Sequence, residues 1–509
     1  MMEHVNWIHN IPFFSIFLAM FCGIITPLIK NGKTAHKVHA LMVLIVAIMS
    51  AILLVNVTTT GESFTFMMGH FPAPWGNELR AGPLEAMMAL IFSVVMLLTT
   101  TGGQEFIFHD VVPEKQSFYF IMLNALFGSM LALAYTNDIF TAYVFIEILT
   151  IASCALIMAK GTAQAMVGTT HYLVISLLGS GTILLGISIL YSITGHLLFP
   201  QMKEAIVQLV ATGQYTFPLL VVTGFVFIGL AIKSALFPFH SMLPGAYQAA
   251  VPTSSGVLSG LVLKSYIFLA IKLIYSVFSV DVMLQLKIVD ILFVFGLAGM
   301  VMGSVYAMRE TRMKRMLAYS SVAQIGYIYM GIGMSTRIAM VAACFHILAH
   351  AVTKSMLFLC CGQMVQDSGG KEQIYYLRGA ARRNPVAGIG FTVGALSMVG
   401  VPLFVGFISK LYFATASVYA PGKMAAVLIV LGISMILNAM YFLPSVIAIW
   451  TPVKTEGEEQ TRVSVSPAFG VCIILFVLIN IALGVYYRPF IEVIERGIIC
   501  CSNNGSMRG

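Results

Sequence analysis

The stretch GLAIKSALFPFHSMLPGAYQAAVPTSSGVLSGLVLKSY (229–266) sets Lys233, His240 and Lys264 in an otherwise apolar run and breaks that run with Pro238, Pro244 and Pro252. Proline removes a backbone donor and interrupts a helix. The stretch therefore reads as membrane helices broken around ionisable groups. The rest of the chain agrees. Of 509 residues, 59% are hydrophobic and 9% charged, against about 25% charged in an ordinary soluble domain. Mean hydropathy is +0.93. Such a chain cannot solvate a globular surface, so its solvent is a bilayer. The formal charge of +8 does not indicate nucleic acid, because the basic residues lie in short loops between apolar runs, where they act as topology signals.

Fourteen candidate spans, numbered in chain order, lie near 13–29, 38–57, 82–101, 117–134, 138–158, 165–193, 217–240, 253–277, 287–307, 313–333, 337–363, 386–415, 424–450 and 465–487. Most hold the roughly 20 apolar residues that a bilayer core requires. An even count puts both termini on one side. Loops on the opposite side carry fifteen Lys and Arg, from Lys30 to Arg462, and the terminal side carries seven, from Arg80 to Arg508. Lys272 and Lys287 lie too near span ends to assign. The positive-inside rule then places both termini outside. Segment 58–82 alternates apolar residues in SFTFMM and is punctuated by Pro and Gly, which predicts a small β-hairpin on the outer face. The start, MMEHVNWIHN, lacks the basic region of a cleavable signal peptide, so span 1 is expected to be retained. None of the eight cysteines forms a C-x-x-C, and no Cys/His spacing fits zinc or an iron–sulfur cluster. The chain is expected to hold no redox centre, cofactor or metal of its own.

Loops cannot absorb Lys233, Lys264, Lys354 and Lys410, nor Glu147 in span 5. A charge at membrane depth costs at least ~2.5–3.5 kcal/mol, so such residues pair, face a wet cavity or mark an ion path. Lys354, nearest its loop, has snorkelling to the headgroups as an alternative, and Glu147 and Lys233 have a static buried ion pair. His171 reads as a satisfied polar residue. His346, His350 and Lys354 stand at i, i+4 and i+8 and so share one helical face, which suits a proton wire better than packing. The breaks recur as well. In GALSMVGVPLFVGFISKLYF (394–413), Gly400 and Pro402 precede Lys410 much as Pro238 follows Lys233. Paired interrupted spans in two halves point to inverted repeats around an ion site. Spans 4–8 form one repeat and spans 9–13 the other, and five spans each makes their orientations opposite. The expected units are 1–116 (spans 1–3 with the hairpin), 117–277, 278–450, and 451–509 (span 14 and tail). The fold class is an all-α integral membrane protein of about 14 helices, with helices 7 and 12 discontinuous.

FIEILTIASCALI (145–157), the opening stretch, KRMLAYSSVAQIGYIYMGIG (314–333), FHILAHAVTKSMLFLCCG (345–362) and GVPLFVGFISKLYF (400–413) together resemble the signature stretches of the antiporter-like membrane subunits. That family includes the proton-pumping subunits of complex I, the large subunits of Mrp sodium/proton antiporters, and their counterparts in membrane-bound NiFe hydrogenases. The resemblance covers essentially the whole chain. It implies that Glu147 and Lys233 form a switchable ion pair within salt-bridge or one-water reach. It also implies that Lys264 is the central lysine, that His346 and His350 bridge onward, and that Lys410 ends the path. Some relatives carry glutamate in place of Lys410. His240 matches a histidine common after the first break. The chain ends about twenty residues after span 14, which resembles the shorter members rather than the one with a long lateral helix.

The implied function is an ion-translocating subunit, for protons or for sodium against protons, that does no redox chemistry itself. Its setting would be a redox-driven complex in a bacterial or archaeal cell membrane. Its partners would be further antiporter-like and other membrane subunits, plus peripheral redox subunits carrying the Fe–S and NiFe or other centres. The run GHFPAPWGNELRAGPLEAM (69–87) looks closest to the Mrp and hydrogenase branches and leans the reading toward a hydrogenase or related ferredoxin-linked complex. An Mrp large subunit, a complex I pumping subunit, a stand-alone antiporter and a purely structural adaptor stay open. Mechanistically, desolvation disfavours a charged lysine and a nearby carboxylate favours it. Opening the Glu147–Lys233 pair would therefore drive a proton to Lys264, and onward through His346 and His350 to Lys410.

Overall fold

The computed structural model describes residues 7–68, 71, 76–213, 215–452 and 463–502. Among them, twelve helices are long and apolar enough to cross a membrane. They coincide with spans 1–9, 11, 13 and 14. Span 10 is the 22-residue helix Met313–Met334, which falls short in apolarity because it carries Lys314, Arg315, Ser320, Ser321 and Gln324. Span 12 is two short helices, Pro385–Val399 and Val405–Val418.

The helices sort by burial. Span 8 (Pro252–Phe278) and span 11 (Arg337–Gln366) are wholly enclosed over their apolar windows, whereas span 13 (Met424–Trp450) is only one third buried. The enclosed pair is therefore the core that the other helices shield from lipid, and it carries Lys264, His346, His350 and Lys354. Span 8 contains two π-helical turns, Leu258–Val262 just before Lys264 and Ile274–Phe278 at its far end. Such turns insert an extra residue and recur at functional sites. Spans 9 and 10 pack backbone to backbone. A Cβ at Gly296 would meet Met330 N at 2.5 Å, and one at Gly326 would meet Gly296 O at 2.6 Å. Small residues allow this approach where burial of apolar surface cannot drive helix association.

Strand β1 (Phe64–Met67) pairs antiparallel with β2 (Glu78–Ala81), in the register Phe64↔Ala81 to Met67↔Glu78. Residues 69–70 and 72–75 of segment 58–82 lie outside the described residues. Among the described residues, two helices of more than ten residues have no counterpart among the sequence spans. Phe199–Thr212 buries Phe199, Met202 and Ile206 along one face. Tyr487–Ser502 packs against spans 3 and 11. Their hydrophobic residues recur at helical spacing among polar ones, so neither forms an apolar run long enough to register as a span.

A buried ion pair anchors the second of these helices. Arg80 Nη1 donates to Glu85 Oε1 at 2.6 Å, with both side chains 1% exposed. Arg80 also donates to Cys501 Sγ (3.2 Å) and Cys500 O (3.0 Å). In the sequence alone Arg80 reads as a loop charge.

Candidate functional site

Both broken spans stop in the same way. The first half of span 7, Thr216–Lys233, ends with Ala235 in the left-handed region (φ 56°). Ala235 N donates to Ile232 O at 3.0 Å and Leu236 N to Ala231 O at 2.9 Å. The chain then passes Pro238 and resumes as Met242–Ala249. The first half of span 12 ends with Gly400 at φ 98°, and Gly400 N and Val401 N both donate to Leu396 O at 3.0 Å. Each carries the long reverse bond of a Schellman-type stop. Pro402 follows, and the helix restarts at Val405.

Lys410, in the second half of span 12, reaches back across the break. Its Nζ donates to Met398 O (2.6 Å) and Val399 O (2.8 Å). The last carbonyls of a helix have no intrahelical partner and form its negative end, so the ammonium caps the half-helix that the break created. Gly400 makes room for it. A Cβ there would stand 2.9 Å from Lys410 Cδ and 3.2 Å from Nζ, and a left-handed non-glycine costs roughly 1–2 kcal/mol. Gly400→Ala is thus expected to lower the melting temperature and dislodge Lys410. Thermal unfolding in detergent, together with ion uptake in vesicles, checks this.

At the first break, Lys233 Nζ donates to Thr150 Oγ1 at 2.7 Å, and Thr150 Oγ1 donates to Ile146 O at 2.8 Å. Glu147 lies one turn before Thr150, and its Oε1 is buried without a partner. Among the described residues no Glu147–Lys233 ion pair lies within 4 Å. Of the expected salt-bridge or one-water reach, the direct salt bridge is not formed, and the ammonium rests on a threonine one turn along the same helix. Ser234 bonds Tyr329 (2.7 Å), tying this break to span 10.

Lys264 is fully buried and its Nζ donates to Ser259 O. Ser259 and Ser321 hydroxyls are 2.9 Å apart. Ser321 gives its single O–H to Leu317 O at 3.0 Å, so Ser259 is the donor between them. Lys354 Nζ donates to the same Leu317 O (2.9 Å) and to Ser320 Oγ (2.8 Å). Hydrogen bonds therefore connect the Lys264 and Lys354 residues across spans 8, 10 and 11. Lys354 does not snorkel. It is 0% exposed, because acceptors on span 10 hold its ammonium inside the protein.

His346 Nδ1 lies 2.9 Å from Ser409 Oγ, and Ser409 donates to Gly406 O at 3.0 Å. His346 is therefore the donor at Nδ1, which leaves Nε2 as an acceptor in the neutral ring. That Nε2 and both ring nitrogens of His350 are buried and unpartnered. The two imidazoles are nearly parallel (8°) with centroids 6.2 Å apart. Tyr327 stacks on His346 at 5.5 Å, and Lys410 Nζ lies 5.4 Å from the same tyrosine ring. His240 has aromatic neighbours, Phe237 at 5.3 Å and Tyr306 at 5.4 Å.

Two buried lysines escaped the sequence reading. Lys272 is 1% exposed and donates to Ala134 O (2.8 Å) and Thr136 O (2.6 Å) at the end of span 4. Lys314, counted among the loop charges, is 2% exposed and donates to Ala250 O at 3.2 Å. Their positions at span ends hid them. Ser259 and Ser321 were invisible because a serine in an apolar helix carries no distinguishing signal. Among the described residues, no group of three or more His, Cys, Asp or Glu could hold a metal ion.

The fold is a helical membrane scaffold with two broken spans and with lysines and histidines buried in its core. Residues 136–437 match the family described as NADH:quinone oxidoreductase/Mrp antiporter, TM. The match covers more than half of the sequence, and the chain belongs to that family. It is 29% identical to the NADH-quinone oxidoreductase subunit N of Desulforudis audaxviator, over 85% of each chain. It is 27% identical to a Na(+)/H(+) antiporter subunit from Alkalihalophilus pseudofirmus, over 91% of each. Among solved structures it is similar to a chain of the membrane-bound sulfane sulfur reductase, an archaeal respiratory membrane complex. The TM-score is 0.86 at 25% identity, covering 97% of this chain and 98% of that one. The protein is thus an antiporter-like, multi-pass membrane subunit of the kind found in complex I, Mrp and membrane-bound respiratory complexes.

Proposed function

We propose that this chain moves protons along the middle of the membrane within a redox-driven complex. Relatives in membrane-bound respiratory assemblies support that setting, and a ferredoxin-linked or hydrogenase-type complex is the branch we favour. The observation that carries the reading is the fully buried series Lys264, Lys354, His350, His346, Lys410, reached from Lys233 and Glu147. Lys233 resting on Thr150, with Glu147 unpartnered, is the open form of the switch. Closing it brings ammonium and carboxylate together and recharges Lys233. His350 has two buried nitrogens without protein partners. Buried polar groups are satisfied almost without exception, so internal water bridges His350 to its neighbours. His240 belongs to the first break rather than to the file.

The two matching breaks, five spans apart, support inverted repeats 117–277 and 278–450. With spans 10 and 12 crossing the bilayer, the count is fourteen and both termini lie outside. The redox centres belong to partner subunits, and sodium exchange is an added capacity of the same path.

The test uses vesicles holding the assembled complex, with redox turnover followed in parallel. His350→Leu is expected to cut proton uptake per electron severalfold at normal assembly. Unchanged uptake per electron in this variant would show that the route lies elsewhere.

A further inference from the structure

We propose that the loop between spans 11 and 12 and the outer face of span 13 form a binding site for an anionic phospholipid. Lys371, Arg378 and Arg382 hold the headgroup, and the acyl chains lie along span 13.

The loop presents two exposed rings, Tyr375 (67%) and Tyr376 (46%). Lys371 Nζ sits 4.8 Å from the Tyr376 centroid, and the Arg378 guanidinium carbon 5.1 Å from that of Tyr375. All three cations are exposed. Among the described residues, none has a carboxylate within 4 Å. Cations laid on aromatic faces are held in place while their charge stays available to an anion. The cluster stands at the end of span 13, because Arg382 Nε donates to Trp450 O (2.9 Å) and Gly379 N to Ala448 O (3.4 Å). Exposed tyrosines beside a tryptophan mark the headgroup level.

Directly below, Ile436, Met440, Leu443 and Ile447 are 64%, 53%, 39% and 66% exposed. Their spacing of four, three and four places them on one face. The same face continues through Ile433 and Ile429, 43% and 61% exposed, so an apolar surface leads from the cluster along the span. A cationic cluster at the end of an exposed apolar face fits an amphiphile with a phosphate head. Basic pockets at helix ends recognise anionic headgroups on the same physical grounds.

The experiment is native mass spectrometry of the full chain, purified in detergent with the subunits it retains. Dioleoylphosphatidylglycerol or dioleoylphosphatidylcholine is titrated onto wild type and onto the K371Q/R378Q/R382Q variant. Phosphatidylglycerol should bind wild type at least about tenfold more tightly than the variant, with phosphatidylcholine binding equal on both. Equal phosphatidylglycerol binding by the two proteins, or no preference over phosphatidylcholine in wild type, overturns the proposal. So does a variant that keeps the lipid but loses a co-purifying subunit, which would make the patch a protein contact. Complete displacement of the lipid from wild type by inorganic phosphate alone also overturns it, because the apolar face would then contribute nothing.

Discussion

Lys264→Met is expected to reduce proton uptake per electron to background while the complex still assembles. Methionine is unbranched like the lysine, one atom shorter, and fills most of its space, but it holds no proton. Among the described residues, the hydrogen bond lost is the one to Ser259 O. Among the described residues Lys264 has no carboxylate within 4 Å, so its removal strands no opposite charge, and replacing a buried ion with an apolar residue is commonly neutral or stabilising. The loss should therefore be functional rather than structural. Lys264→Arg sharpens the test. Arginine keeps the charge but does not release its proton in proteins. If Lys264 only balances the electrostatics of the core, the arginine variant should pump normally. If its proton moves, both variants should fail, and vesicle uptake measured against electron flux separates the two outcomes.

Glu85→Ala is expected to give the largest stability loss in the molecule, about 3–5 kcal/mol, because it leaves Arg80 charged and buried without its carboxylate. The pair is 1% exposed on both sides, and Arg80 also holds Cys500 and Cys501 of the C-terminal helix. Loss of Glu85 should loosen that helix together with the start of span 3. Fluorescence-detected gel filtration after heating measures it. The R80M/E85L double variant, which removes both charges together, should recover most of the loss. A double variant as unstable as Glu85→Ala would mean that the arginine contacts to the helix, and not the ion pair, hold this corner.

What the sequence made legible follows from which signals are local. Apolar runs of bilayer length are local, so the spans could be read directly, as could Lys233, Lys264, Lys354 and Lys410, each a cation where none belongs. The two breaks were legible from Pro238, Gly400 and Pro402. Their construction was not, since nothing in the residue type announces that Ala235 takes the left-handed turn that Gly400 takes in the other half. Partnerships between distant residues were least legible. Thr150 taking Lys233, Leu317 and Ser320 taking Lys354, and Arg80 reaching Cys501 all depend on how helices far apart in sequence pack. The amphipathic helices Phe199–Thr212 and Tyr487–Ser502 were lost for another reason. A search for uninterrupted apolarity passes over a helix that is apolar on one side only.

The number of oxygens around each lysine separates fixed stations from a swinging arm. Lys410 and Lys354 each donate to two acceptors. An ammonium has three N–H bonds and a neutral amine has two, so either lysine can surrender a proton and keep both tethers, with the new lone pair in the third position. Its location does not depend on its charge, and handing over a proton requires no travel. Lys233 and Lys264 each hold a single oxygen. Those side chains can rotate about one attachment, so in the proposed path the movement of each cycle would fall at that end of the file.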